Sequence, residues 1–323
     1  MSILARAVTL CALMLLSLIP ASAQNWPNRP VKIIVSQAAG GTPDLICRII
    51  SDKLSNLLGQ RVVVENRPGG ANVVGATVAA HAPADGYTLF FATAAALVSN
   101  PHTFKTLPYD PVKDFVAVSM VAKNPFLILA NANVPANNLS ELVAYDKANP
   151  GKLTFATDGP RNFSGILATW LNKVSGANIL QVPYATMPQG VQDTLAGRTQ
   201  LTILSPPSAA PHIASGALKP LAISWTKRLP QYAQVPSISE AYPGVELTGW
   251  FVIAAPAGTP ADVITRLNQE MDKVLKSPDM VQRLADVGFF TDGAETPEAT
   301  RAFVKAQYDL WSKVVQEIGL QPE

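Results

Sequence analysis

The stretch 31-VKIIVSQAAGGTPDLICRIISDKLSNLLGQRVVVENR-67 decides the fold. VKIIVS (31–36) is a short apolar run rich in β-branched residues, the composition of a strand covered on both faces. After Asp44 the period changes. Ile46, Ile50, Leu54 and Leu57/Leu58 recur every three to four residues, which predicts an amphipathic helix, and Gly59 supplies its stop. RVVVENR (61–67) returns to strand character. In the joining loop Gly40 and Gly41 permit a tight turn, Pro43 suits a first helical turn, and Asp44 is placed to cap it. Such a loop can cradle a phosphate, cradle a carboxylate, or be an ordinary turn.

Working outward, 72–82 reads as a helix, Asp85-Gly86 as a turn and 87–93 as a third strand. Strand, helix, strand, helix, strand predicts a mostly parallel sheet covered by helices. The rhythm then repeats. Strands are expected at 126–130, 152–157, within 177–184, at 200–204 and within 218–224, with helices at 139–148, 163–174, around 188–196 and around 207–214. Residues 226–248 are loop-rich, with Pro230, Pro236 and Pro243. A strand follows at 249–255. Thr259 as N-cap, Pro260 at N1 and Asp262 at N3 then open a helix to 277. Helices at 278–287 and 297–318 complete the chain. The pattern is α/β and bilobed: domain 1 from 24–124 plus 227–323, domain 2 from an inserted 125–226, with hinge crossings near 123–126 and 224–228.

Residues 1–23 read as a secretory signal peptide. Arg6 gives a short basic region, AVTLCALMLLSLI (7–19) an apolar core too short to span a bilayer comfortably, and Ala21-Ser22-Ala23 the small residues of a cleavage site. Cleavage is expected before Gln24, which exports the mature chain to the periplasm. A formal net charge of +2, with no basic stripe or charged tail, gives no argument for nucleic acid. Cys47 is the one cysteine of the mature chain, so no intrachain disulfide can form, and its helical neighbours predict a buried inert thiol. His81, His102 and His212 lie far apart without ligand spacing, so no metal is expected. No cofactor is expected either.

Three strand-to-helix junctions share one character: 37-QAAGGTPD-44, 92-ATAAALVSN-100 and 157-TDGPRNFSG-165. In open α/β folds such loops border the ligand crevice, and helix N-termini leave unpaired N–H groups that favour anions. Nucleotide motifs are absent: there is no GxGxxG and no GxxxxGK[ST], and 67-RPGGANVVG-75 has the wrong spacing for either. No GxSxG marks a hydrolase nucleophile, and no base is apparent for Ser164 or Ser205. The chain is therefore not expected to be an enzyme, and a monomer is the default state.

With 26-WPNRPVKIIV-35, the GG-x-PD loop, 64-VENRPGGANVVGA-76, 83-PADGYTLFFAT-93, 107-LPYDPVKDF-115, 149-NPGKLTFAT-157, 182-VPY-184, 211-PHIASGALKPLAIS-224 and 254-AAPAGTP-260 in this order, the chain resembles the Bug/TctC family of periplasmic solute-binding proteins. These are the extracytoplasmic receptors of tripartite tricarboxylate transporters. The resemblance covers essentially the whole mature chain. It implies a Venus-flytrap fold that closes over one small, usually carboxylated solute, and membrane permease subunits as partners. It also implies a carboxylate clamp with one arm at Ala38, Ala39, Gly40, Thr42 and Asp44 and the other near Asp158, Arg161, Asn162, Phe163 and Ser164. Thr93, Ala94, Ala95 and Ala96 would form the floor, and Tyr184 and Ser205 the far wall. An orphan sensor for a signalling partner, or a secreted enzyme using the same cleft, are the alternatives.

The departures bear on the ligand. The family's VPYKG becomes 182-VPYATMPQG-190, without the lysine, and the turn before the central helix reads DGPRNFSGIL. LTILSPPS (201–208) offers no aspartate for an α-ammonium, which favours an acid without an amino group. Phe163, Tyr184 and Met187 suggest an aromatic mono- or dicarboxylate beside citrate-like acids, with Arg161 available to a second carboxylate. Phe163 serves equally well as a hydrophobic staple and Arg161 as a solvated loop residue.

Overall fold

The computed structural model describes residues 26–160, 162–243 and 245–322. The expected signal peptide (1–23) and Arg161 lie outside them. Ten strands form two five-stranded sheets. The first contains β1 (Val31–Val35), β2 (Val62–Asn66), β3 (Thr88–Thr93) and β4 (Phe115–Asn124). The second contains β5 (Leu127–Asn131), β6 (Thr154–Thr157), β7 (Leu180–Pro183), β8 (Leu201–Leu204) and β9 (Leu218–Ile223). β10 (Gly249–Pro256) returns to the first sheet, giving strand orders β2-β1-β3-β10-β4 and β7-β6-β8-β5-β9.

In the opening stretch, β1 sits between β2 and β3 and runs parallel to both, with Ile33 beside Val64 and Leu89. Every residue of β1 except Lys32 is buried, as its unbroken apolar run requires. The helix Thr42–Leu58 buries Ile46, Cys47, Ile50 and Leu54 on one face. Gly59 ends it at φ 68°, and its N–H donates to the Ser55 carbonyl. Gly75, in the next helix, lies where a Cβ would come within 2.7 Å of Ser36 Cα, so the helix can approach the end of β1 only with glycine there. Cys47 is fully buried, and burial pushes its thiol up to about 12, so it is inert.

Three expectations need correction. Both sheets are mixed rather than mostly parallel, because β10 runs antiparallel to β3 and β4, and β5 antiparallel to β8 and β9. The strand β4 was not expected at all. Its run FVAVSMVAKN has no clean alternation, and its pairing with β10 shifts register twice. Thr259 does not cap a helix. Its hydroxyl donates to the Pro256 carbonyl at 2.7 Å, and the helix starts later, at Ala261.

The chain passes from β4 to β5 through Pro125 and Phe126. Residues beyond β9 stay on the second sheet: Ile223 pairs with Ser237, and Trp225, Leu229 and Val235 join a core with Leu127, Leu129 and Leu218. The proline-rich composition of this segment reads as linker, yet its scattered apolar residues bury, and the chain rejoins the first sheet at Gly249. Ser224 ties the two passages together. Its hydroxyl accepts from Phe126 N at 3.0 Å, its own N–H donates to the Phe126 carbonyl at 2.8 Å, and its carbonyl accepts from Leu247 N at 3.2 Å. The terminal helix Pro297–Glu317 makes a third tie, where Trp170 Nε1 donates to Glu317 Oε2 at 3.1 Å.

Candidate functional site

A cavity of about 530 Å³ lies where the two sheets' loops meet, within the range of small-molecule sites. From the first sheet come Gln37, just after β1, and Thr93, Ala94 and Ala95, just after β3. From the second come Asn162, Phe163 and Ile166, at the start of the helix Phe163–Ser175. The passages between the lobes contribute Asn124, Phe126, Thr248 and Gly249, and Trp250, Phe251, Phe289 and Trp311 complete an aromatic wall.

The second-sheet wall is built by a loop folded back on its helix. Gly165 makes this possible: a Cβ there would lie 2.1 Å from the Gly159 carbonyl oxygen. The Ser164 hydroxyl accepts from Asp158 N at 2.9 Å and donates to the Asp158 carboxylate. Asn162 Nδ2 donates to the Asp158 carbonyl at 2.6 Å. The N-cap Asn162 makes no side-chain cap bond, which leaves first-turn N–H groups without one, and Asn162, Phe163 and Ile166 at this helix start line the cavity.

The first-sheet wall carries backbone strain. Ala71 and Asn72 both line the cavity with left-handed backbones, φ 51° and 78°. Two bonds hold this turn: Ser36 Oγ to Asn72 Oδ1 at 3.0 Å, and Asn100 Nδ2 to the Ala71 carbonyl at 2.8 Å. Left-handed alanine costs about 1–2 kcal/mol, a strain found most often at functional sites. Beyond β3 a π-helical turn, Ala95–Ser99, follows, with the Thr93 hydroxyl accepting from Ala96 N at 3.2 Å.

Among the described lining residues none carries a formal charge. Three buried donors in the wall lack a hydrogen-bond partner: Thr248 Oγ1, Trp250 Nε1 and Trp311 Nε1. Each is closed off as well as unpaired, in a wall where buried polar groups are normally paired.

Of the residues singled out from sequence, the cavity brings together Thr93, Ala94, Ala95, Asn162 and Phe163. Asp158 and Ser164 brace the loop behind them. Ala38, Ala39, Gly40 and Thr42 are exposed and stand outside the lining. Asp44 is buried and already committed: it accepts from Gly40 N at 2.8 Å, Arg48 Nε at 3.0 Å and Asn66 Nδ2 at 2.9 Å. Burial raises its pKa, but the bonds from Arg48, Gly40 and Asn66 outweigh that and hold the carboxyl below its ordinary value. Tyr184 donates to Asp193 at 2.7 Å, and Ser205 to Ser208 at 3.0 Å, both away from the cavity. Residues that the sequence did not reveal include Gln37, Asn124, Thr248, Trp250 and Trp311. Trp311 shares the buried face of the terminal helix with Gln307, Val314 and Val315, so its spacing is that of an ordinary core stripe.

The model of the tripartite tricarboxylate transporter family receptor matches residues 46–320. The protein BugT of Bordetella pertussis is 34% identical over 302 residues, covering 93% of this chain and 92% of that one. Among solved structures, Rpa4515 of R. palustris with adipate is 31% identical, with a TM-score of 0.73 over 92% of this chain and all of that one. MatC of Rhodopseudomonas palustris with bound malate is 29% identical, with a TM-score of 0.68 over 90% of this chain and all of that one. The family match takes in every described lining residue except Gln37, and this chain belongs to the tripartite tricarboxylate transporter receptor family.

Proposed function

We propose that this protein is a periplasmic receptor that captures a small carboxylate between its lobes and presents it to the permease subunits of a tripartite tricarboxylate-type transporter. Its work is binding and delivery, without chemistry on the solute. The observation that carries this reading is the start of the helix Phe163–Ser175, which has no side-chain cap and whose Asn162, Phe163 and Ile166 line an interlobe cavity. Oriented N–H groups suit a carboxylate, and they stabilise it without a buried counter-ion. The relatives with adipate and malate support the same class.

Closure of the lobes about the Phe126–Ser224–Leu247 junction would carry the exposed loop Ala38–Thr42 over the solute and complete the clamp. Residues 1–23 would direct export, which mass spectrometry of the periplasmic form checks by a start at Gln24. The functional test is a thermal-shift screen of residues 24–323 against carboxylates. A solute at a hundred times its dissociation constant adds about 2.7 kcal/mol, enough to raise the midpoint by a few degrees. Stabilisation by α-amino acids and not by simple carboxylates would overturn the reading.

A further inference from the structure

The cavity wall is aromatic on both sides, and the polar groups among its described residues are neutral. Phe126 and Phe163 pack with ring centroids 4.4 Å apart and planes 32° apart, each only partly buried and each lining the cavity. Phe251 and Phe289, of the first lobe, stack at 4.8 Å and 17°. Trp250 and Trp311 extend that wall. Phe163 is also the first residue of the helix that starts at the cavity, so an anion held at that start has Phe163 in the same turn.

From this we infer that the solute is an aromatic carboxylate, its carboxylate at the start of the Phe163–Ser175 helix and its ring against the Phe126–Phe163 pair. The inference rests on the carboxylate reading above and narrows it. A ring bonded directly to a carboxylate places its π-face within a few ångströms of the anion, and Phe163 belongs to the first turn of the helix that would hold that anion. An aliphatic diacid makes a different demand. Its second carboxylate would enter a wall whose described residues carry no cation, and burying an unpaired charge costs several kcal/mol. An amino acid would leave its ammonium without an anion among the described residues of the same wall. Aromatic faces instead reward a planar ring by about 0.5–1.5 kcal/mol beyond the area it buries.

The test is calorimetry on residues 24–323 with two sets of probes. Benzoate, 4-hydroxybenzoate and terephthalate form the aromatic set, and cyclohexanecarboxylate, adipate and malate the non-aromatic set. The tightest aromatic probe is expected to exceed every non-aromatic one, and benzoate to exceed cyclohexanecarboxylate by roughly three- to tenfold. Phe163→Leu keeps an apolar side chain and removes the ring. It is expected to lower the affinity of the tightest aromatic probe by a similar factor while leaving the tightest non-aromatic probe within about twofold. Phe126→Leu gives the same readout from the other ring should Phe163→Leu fail to fold. Equal binding of benzoate and cyclohexanecarboxylate, or adipate or malate as the tightest probe, would overturn the aromatic assignment and leave the carboxylate reading standing. No binding by any of the six would overturn both.

Discussion

Two glycine-containing loops open helices on opposite sides of the cleft, and they do different work. In 37-QAAGGTPD-44 the aspartate turns inward. It bonds Gly40, Arg48 and Asn66, so the loop is braced from within, and its tip, Ala38–Thr42, stands exposed. In 157-TDGPRNFSG-165 the aspartate and serine brace the loop from behind, and Asn162 and Phe163 face the cavity. Both loops carry the composition of an anion cradle. Of the two, only the second has its helix start among the described cavity walls, so composition marks a loop able to hold an anion and packing decides which loop reaches the cavity.

The largest expected effect separates the two loops by their glycines. Gly165→Ala places a methyl group 2.1 Å from the Gly159 oxygen, which must push the 157–162 loop away. Overpacking of this kind costs roughly 1–3 kcal/mol, and carboxylate binding in the thermal-shift assay should be abolished. Gly40→Ala meets no atom within 4 Å but sits at φ +83°, so it should cost about 1 kcal/mol of stability and weaken binding only modestly. Equal damage from both would erase the distinction.

Asp44→Ala removes the buried acceptor shared by part-buried donors on Gly40, Arg48 and Asn66. Unfolding in urea should show a loss of about 2 kcal/mol, with the ranking of solutes unchanged. A changed ranking would make Asp44 a ligand contact instead. Ser164→Ala removes the brace behind the second loop, and the expected loss is about 1 kcal/mol, felt in affinity as well as in stability.

The smallest effect is one of pH. The folded Asp44 carboxyl titrates below its ordinary value of 3.8, so its ionised form adds stability that is fully present above that value. The contribution is lost as pH falls through the lower, folded value. The difference in unfolding free energy between the natural protein and Asp44→Asn should therefore be constant above about pH 5 and shrink below 3.8. A difference independent of pH down to 2.5 would remove the carboxylate from the brace.

Much of the fold was legible because its signals are local. The unbroken apolar run of β1, the helical spacing from Ile46 to Leu58 and the stop at Gly59 each depend on neighbours within a few turns. β4 escaped because bulges break its period, and in 225–247 the buried Trp225, Leu229 and Val235 are scattered among loop residues without a period. In the site, Asn162 and Phe163 were readable as the start of a helix after a strand. Trp250, Trp311 and Thr248 were not, because what marks them is a missing hydrogen-bond partner, a property of three dimensions.

The claim at the centre is that a carboxylate sits on the start of the Phe163–Ser175 helix. A crystal structure with the tightest-binding acid tests it most directly. The expected result is a carboxylate oxygen within about 3 Å of the N–H groups of Phe163, Ser164 or Gly165, inside the interlobe cavity. A carboxylate held elsewhere, with that helix start untouched, would contradict it.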